Sequence, residues 1–458
     1  MTSDLSILQV KYAGNLPRYT SYPTAVEFKE IGPDLMVPDL YRNTLRQGRR
    51  ISLYIHLPFC RSLCYFCACN KVITSDESLK ERYLEALDQE AQRLLPLLPP
   101  ESAVVQIHLG GGSPSYLDCA QLERLDRTVQ RFKLASMCER SVEVDPRTFT
   151  SQQFETWYNQ GYRRFSLGVQ DFDREVQELI NRVQDEKLVS DAVERIRSKS
   201  GTSINFDLIY GLPGQTREGF ARTIAEVLRL RPERLAVYGY AHVRWKVKVQ
   251  KVFDRHPLPT TAERLELISD AVSTLQAAGY RYIGIDHFAL PEDELSRALD
   301  RGALRRNFMG YTTVTGDHLL ALGVSAISDL GSYLIQNAAQ LDQYFELLRT
   351  GKLPAHRIIS RTEEDQIRAL AIESLMCNRK LALAELSRAY PDTKNVAAIF
   401  AAGQQMLIPM QNDGLVELSP DLIRITPTGC YFLRSIAAVF DQYLQSQPPS
   451  GQRFSASV

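Results

Sequence analysis

Three cysteines, Cys60, Cys64 and Cys67, form the pattern C-x3-C-x2-C between Tyr54 and Asn70. Thiolates at this spacing on one loop can each hold one iron of a cubane cluster, and full ligation of a [4Fe–4S] cube takes four of them. A loop with three leaves one iron open to an outside ligand. The natural chelator for that corner is an amino-carboxylate, such as the methionine end of S-adenosylmethionine. Cys69 keeps a second reading open, a structural zinc ion held by four sulfurs. Such zinc sites draw their ligands as separated pairs, with roughly two to four residues inside each pair. Cys67 and Cys69 have one residue between them and no partner pair follows. Cys119, Cys138, Cys377 and Cys430 are scattered at no framework spacing, which suits a reducing compartment better than a set of disulfides.

The elements that must position these thiols show as a repeated alternation. Short β-branched or aromatic runs lie at residues 51–55, 104–109, 141–144, 164–169, 204–209 and 235–240. Amphipathic stretches separate most of them, notably 79–95, 175–198 and 217–230, with apolar residues at steps of three and four. Strands alternating with helices predict a parallel sheet covered by helices. About six such units suit an α/β fold of the partial, open βα-barrel kind better than the eightfold closed barrel. A further strand at 280–285 is expected to extend the sheet on its far side.

In such folds chemistry collects at the carboxyl ends of the strands, and the polar signatures fall there. Cys60 follows the first strand, Gly110 to Gly112 the second, Glu143 ends the third, Gln170 the fourth, and Asp207 lies near the end of the fifth. Glycines directly after a strand let the backbone approach a ligand closely, although the run is not G-x-G-x-x-G and gives no dinucleotide fingerprint. An ordinary tight turn remains the alternative for that run, and a surface carboxylate the alternative for Glu143, which could otherwise accept hydrogen bonds from ribose hydroxyls. Asp207, between Phe206 and Leu208, needs a partner wherever it is buried. Arg182, taken alone, reads first as a solvated helical arginine.

These residues carry a family resemblance. The cysteine loop, Gly-Gly-Gly-Ser-Pro114, Glu-Val-Asp-Pro-Arg147, Gly-Val-Gln-Asp171, Asn-Arg-x-Gln184 and Asp-Leu-Ile-Tyr-Gly-Leu-Pro213 resemble the radical SAM superfamily. Pro-Arg-Tyr-Thr-Ser-Tyr-Pro23, Tyr-Ala-His242, Asp-His-Phe288, Arg-Asn-Phe-x-Gly-Tyr-Thr-Thr313 and Gly-Val-Ser-Ala-Ile-Ser328 narrow it to the oxygen-independent coproporphyrinogen III oxidase family. The resemblance implies that Cys60, Cys64 and Cys67 ligate a [4Fe–4S] cluster, with Cys69 nearby but not a ligand. It implies that Tyr54, Gly111, Glu143 and Ile327 bind one S-adenosylmethionine. Phe66, Gly112, Ser113, Gln170, Arg182, Asp207 and Ala241 would line a second such site.

The implied reaction begins with one electron from an outside flavodoxin- or ferredoxin-like donor. Cleavage of S-adenosylmethionine then gives a 5′-deoxyadenosyl radical that takes hydrogen from a propionate β-carbon of coproporphyrinogen III. Loss of carbon dioxide and one more electron leaves a vinyl group, and a second round gives protoporphyrinogen IX. The sequence departs from the family pattern at Ser113, where threonine is expected, and at Ala68, where glycine is expected. The segment after His242, Val-Arg-Trp-Lys-Val-Lys248, is also unusually basic.

Composition sets the surroundings. Lys plus Arg and Asp plus Glu balance at 54 each over 458 residues, so no global field favours nucleic acid or an anionic membrane. The start of the chain lacks the basic-then-apolar order of a secretory signal, and no apolar run approaches the ~20 residues that span a bilayer. The expectation is a cytoplasmic monomer without nucleic-acid or membrane partners. Residues 1–35 are expected to form a lid in which Arg18, Tyr19 and Tyr22 meet a tetra-anionic substrate, since carboxylates favour arginine forks. Arg305 and Arg306 are further arginines beside a Gly-Tyr segment. Residues 36–355 form the catalytic partial barrel in this reading, and 356–445 a mainly helical, winged-helix-like domain that ends in a helix near 429–443. Residues 446–458 read as a disordered tail. Two rivals stay in view. One is a nucleic-acid-binding redox regulator, disfavoured because the C-terminal segment alternates its charges. The other is a haem-binding branch of the same superfamily, disfavoured by the N-terminal motif.

Overall fold

The computed structural model describes residues 2–12, 14–445 and 454. Seven parallel strands form the centre of one sheet: β1 (Arg50–Leu57), β2 (Ala103–Gly111), β3 (Leu134–Val144), β4 (Arg164–Gln170), β5 (Ser203–Tyr210), β6 (Arg234–Gly239) and β7 (His318–Leu322). In space β7 lies beside β1, and β1 to β6 follow in chain order. Six of the seven are the runs expected from sequence. The seventh, β7, escapes that pattern because its five residues are all buried and show no alternation.

The sheet continues past β6 with the antiparallel strands His287–Ala289 and Arg281–Gly284. The strand expected at 280–285 is therefore present at the far edge. Past β7 the sheet runs on through Ile327–Asp329, Tyr333–Asn337, Ala355–Ser360 and Lys29–Glu30. Among the described residues the two edge strands do not pair with each other, so the barrel stays open. Residues 356–360, grouped from sequence with the C-terminal part, belong instead to this sheet through the strand Ala355–Ser360.

Strand periodicity separates two faces. Ile51, Leu53, Ile55 and Leu57 of β1 join the apolar core under the helices. The other set is polar, and Gln106, His108, Glu139, Ser141, Arg164, Ser166, Asn205 and Arg234 line a cavity inside the open barrel. Buried polarity needs partners. Gln106 bonds Ser52, Glu139 and Thr312, Arg164 pairs with Glu139, and Arg234 with Asp293. The covering helices start at side-chain caps legible in the sequence, such as Asp118/Gln121, Thr150/Gln153 and Thr260/Glu263.

One expectation fails instructively. The stretch 175–198 is not one amphipathic helix but two, Arg174–Leu179 and Glu186–Arg197. The chain breaks where Asn181 adopts a left-handed backbone, φ 54°, a conformation asparagine tolerates better than most residues. The break swings Arg182 and Gln184 into the interior, where they are 7% and 4% exposed. The terminal helix expected near 429–443 is also broken, into Gly429–Phe432, Leu433–Ala437 and Ala438–Phe440, with Gln442–Gln445 following.

The C-terminal region packs helices Glu363–Asn378, Leu383–Ala389 and Val396–Asn412 with a three-stranded antiparallel sheet of Lys380–Ala382, Leu422–Ile425 and Val416–Ser419. This is the element order of a winged helix. The N-terminal segment is strapped between this region and the barrel. Arg434 donates to the carbonyls of Leu16 and Pro17, Tyr19 Oη donates to Asp441 at 3.0 Å, and Tyr22 Oη accepts from the Gln442 N–H at 3.1 Å. Apart from Phe454, the tail read as disordered lies outside the described residues. Among the described residues no helix is long and apolar enough to cross a membrane.

Glu90, on the helix Glu77–Leu94, is fully buried and joins three elements. It accepts hydrogen bonds from the Gly323 N–H at 2.8 Å, Asn337 Nδ2 at 2.7 Å and Tyr344 Oη at 2.6 Å. Burial outweighs these bonds and pushes its pKa from 4.5 to about 7. The folded protein thus binds this proton more tightly than the unfolded chain. The associated stability is complete below pH 4.5 and is lost as pH rises through about 7. Across that window thermal denaturation should show the wild type losing about 3 kcal/mol more than Glu90→Gln. Parallel pH profiles for the two proteins would contradict this.

Candidate active site

The cysteine loop leaves the sheet at the end of β1. Its base is closed by a short parallel ladder between Phe59–Cys60 and Val72–Ile73. Its far side is tied to the break after Leu179, for the Tyr65 N–H donates to Ile180 O at 3.0 Å and Asn181 Nδ2 to Leu63 O at 2.8 Å. Lys71 Nζ donates to Cys67 O at 2.7 Å. Buried His56, on β1, donates from Nε2 to the Asn70 carbonyl at 2.9 Å. That bond assigns the tautomer and leaves Nδ1 to accept from Tyr54 Oη at 3.0 Å.

Cys60, Cys64 and Cys67 are free thiols on the wall of one cavity. Cys69 lines the same cavity beside them. Thiols spread along one cavity wall suit separate corners of a cluster. The charges around them also fit an anionic group. Arg182 Nη1 and Arg147 Nη2 stand 3.5 and 3.6 Å from Cys64 Sγ. Asp145 holds both guanidinium groups, at 3.2 and 2.7 Å. Although burial pushes the Asp145 carboxyl up, Arg182 and Arg147 bring it down to about 2.

The glycine turn forms the next wall. Gly112 passes beneath the cysteine loop, donating its N–H to Leu57 O at 2.8 Å, and a Cβ there would meet Pro58 O at 2.5 Å. Gly111 has φ +116°, and its N–H donates to Glu143 Oε2 at 3.1 Å. His108 Nε2 donates to Glu143 Oε1 at 3.3 Å. Burial pushes the Glu143 carboxyl up, but His108 and the Gly111 N–H hold it below its ordinary value. Glu143 is therefore an ionised acceptor facing the cavity.

The same cavity collects Phe66, Ser113, Gln170, Arg182 and Asp207. Strand β4 is bulged at its end, with Gln170 at φ 68°, and the freed Gly168 carbonyl accepts from Arg182 Nη2 at 2.7 Å. Bulges of this kind re-aim side chains at functional sites. Burial raises the Asp207 pKa to about 6, against hydrogen bonds from Ser166 and Asn205. Glu143, Ser166, Asp207 and Tyr238 form a wall shared with the interior cavity.

Three expected residues do not line this cavity. Tyr54 stacks on His108, with ring centroids 6.0 Å apart, and so supports the side chain that holds Glu143. Ala241 lies after β6, where its carbonyl accepts from Gln250 at 3.1 Å. Ile327 sits on a strand beyond β7. Arg18 pairs with Asp286 and lies over the Tyr238 ring at 5.1 Å, while the Tyr19 and Tyr22 hydroxyls are engaged by the C-terminal region. His56, Asp145, Arg147 and Gln250 do not stand out as site residues in the sequence. His56 had a usable signal, because it lies two residues from Tyr54 on β1 and shares its direction, whereas Asp145 and Arg147 lie in the turn beyond β3 and their signal was the Glu-Val-Asp-Pro-Arg147 motif.

Arg306 was visible but ambiguous, and the structure places it. Among the described residues its Nε and Nη1 are buried without a partner, the Tyr311 ring lies 4.8 Å from its guanidinium carbon, and it lines a cavity beneath residues 19–22.

Comparison with known proteins agrees with this geometry. The radical SAM superfamily signature covers residues 54–227, and the HemN C-terminal domain covers residues 362–432. The oxygen-independent coproporphyrinogen III oxidase of Salmonella typhimurium is 41% identical over 99% of this chain and 98% of its own. That of Helicobacter pylori is 40% identical over 95% of this chain and 96% of its own. A solved structure described as "Coproporphyrinogen III oxidase (HemN) from Escherichia coli is a Radical SAM enzyme" superimposes with a TM-score of 0.89 at 40% identity, over 95% of this chain and 98% of the other. The chain belongs to the oxygen-independent coproporphyrinogen III oxidase family of the radical SAM superfamily.

Proposed function

We propose that the chain converts two propionate side chains of coproporphyrinogen III to vinyl groups without oxygen, giving protoporphyrinogen IX. The observation that carries this is the wall of Glu143, Ser166, Asp207 and Tyr238 shared by the thiol-lined cavity and a polar interior cavity lined by Arg164 and Arg234 among paired carboxylates. Each propionate gives up one hydrogen atom, carbon dioxide and one electron, the last to an outside acceptor. Cys60, Cys64 and Cys67 would hold a [4Fe–4S] cluster, and Cys69 would stand beside it as a non-ligand. With S-adenosylmethionine bound beside it, the cluster would supply the electron for a reductive cleavage that gives a hydrogen-abstracting carbon radical.

The chain's own residues bind and orient. Ionised Glu143 accepts from ribose hydroxyls, and the bare backbone at Gly111 and Gly112 admits the adenosyl group closely. Tyr54 and Ile327 complete that first site in this reading. Phe66, Ser113, Gln170, Arg182, Asp207 and Ala241 serve a second S-adenosylmethionine. Arg147 and Arg182 balance the negative charge at Cys64. Among the described residues Arg306 Nε and Nη1 have no acceptor, and propionate carboxylates of the substrate supply them. Arg18, with Tyr19 and Tyr22, closes the strap over the substrate, excluding water from the reacting carbon. The reading includes a cytoplasmic monomer, an outside one-electron donor, and no nucleic-acid or membrane partner.

Iron and sulfide analysis under anaerobic conditions should show that Cys60→Ala, Cys64→Ala and Cys67→Ala each lose the cluster while Cys69→Ala retains it. Equal loss in Cys69→Ala would sink the three-ligand assignment.

Anaerobic incubation of the reconstituted protein with coproporphyrinogen III, S-adenosylmethionine and dithionite should yield vinyl products, and their absence would refute the function. In the same assay Arg306→Leu should raise KM by about tenfold or more, the worth of a charge-assisted hydrogen bond, with cluster content unchanged. An unaltered KM would remove Arg306 from substrate binding.

A further inference from the structure

Between β6 and the helix Thr261–Ala277 runs a segment that the chemistry above does not use. Residues 244–255 carry Arg244, Lys246, Lys248, Lys251 and Arg255 against one acid, Asp254, in a chain whose charges otherwise balance. All five basic residues are exposed, together with Trp245 at 45% and Val252 at 37%. Arg244 pairs with Asp254 at 3.0 Å, at the surface. Among the described residues the other four form no ion pair. An exposed tryptophan set among uncompensated positive charges is the composition of a docking surface, not of an idle loop.

The back of this segment is fastened to the cysteine loop. Gln250, fully buried, donates from Nε2 to Phe66 O at 3.0 Å and accepts from the Val243 N–H at 2.6 Å. Phe253 joins an apolar cluster with Ile180 and Tyr240, against which Tyr65 and Phe66 pack. The Tyr65 and Phe253 rings are 6.5 Å apart. On the cysteine loop itself Arg61, Ala68 and Cys69 are exposed. The basic face and the thiol-bearing loop are thus two sides of one packed unit.

We propose that this face docks a small acidic protein that delivers single electrons to the thiol site. The proposal rests on the reading above, in which that site holds a cluster reduced from outside. In each encounter the donor loses one electron and the thiol site gains it, and no atoms are exchanged. Positive charge around an electron entry point steers an acidic partner and orients it, chiefly through the association rate and its salt dependence. Trp245 supplies the apolar contact such small transient interfaces also use.

The test compares the wild type with a triple variant, Lys246→Glu, Lys248→Glu and Lys251→Glu, whose residues touch neither cavity. The probe is flavodoxin, whose surface is acidic, supplied as its hydroquinone. Titration calorimetry should show flavodoxin binding that weakens with salt in the wild type and weakens by about tenfold or more in the variant. Flavodoxin-driven turnover should fall in parallel, while dithionite-driven turnover stays at the wild-type level. Equal flavodoxin binding and turnover in both proteins would overturn the proposal. So would a wild type that ignores flavodoxin but binds duplex DNA through the same lysines. Absence of dithionite-driven turnover in the wild type would instead remove the reading beneath the proposal, and the proposal with it.

Discussion

The cysteine loop is fixed to the sheet by a backbone crossing that leaves no space for a side chain. Gly112 and Ser113 donate their N–H groups to the carbonyls of Leu57 and Phe59 at 2.8 and 2.9 Å, so the strand end of β2 runs directly under the start of the loop. Everything else in the site takes its position from that crossing. It sets the thiols above the rim, brings the Gly111 N–H to Glu143, and leaves His56 to hold the far end of the loop through Asn70. Two hydrogen bonds of this kind contribute only about 1 kcal/mol each to stability. Their importance is geometric, because a radical reaction needs its partners held close and dry.

A second constraint is electrostatic. A closed eightfold barrel fills its interior with apolar layers, whereas this open barrel lines its interior with arginines, histidines and carboxylates. Most of them neutralise one another, as Arg164 does with Glu139 and Arg234 with Asp293. The exceptions carry the functional information. Glu143 stays ionised on the cavity wall, Asp207 is pushed toward neutrality, and Arg306, on a neighbouring cavity, keeps two donors with no acceptor among the described residues. A polyanionic substrate and a ribose-bearing cofactor are the kinds of ligand that complete such a set.

Much of this was legible in the residues. The C-x3-C-x2-C spacing, the glycine turn and the period-two runs placed the thiols, Gly111, Gly112, Glu143, Gln170 and Asp207 at one rim, and the structure brings them to one cavity. What the sequence hides has physical reasons. Strand β7 is buried throughout and carries no alternation. The helical periodicity of 175–198 runs through the break at Asn181, since apolar spacing cannot report a single left-handed residue. Arg182 consequently reads as a surface arginine although it is among the most enclosed charges in the site. Gln250 gives no signal because its importance lies in where its amide reaches, across 184 residues of chain to Phe66. Ile327 is placed by family resemblance alone, and its strand lies outside the cavity that gathers the others.

The central claim is that three thiols leave one iron free to be chelated by S-adenosylmethionine beside Glu143. Electron paramagnetic resonance of the dithionite-reduced protein, titrated with S-adenosylmethionine, tests this most directly. The account predicts a saturable change in the reduced-cluster spectrum, with Glu143→Gln needing more S-adenosylmethionine to reach the same change. A spectrum that stays constant while equilibrium dialysis shows S-adenosylmethionine bound would contradict it.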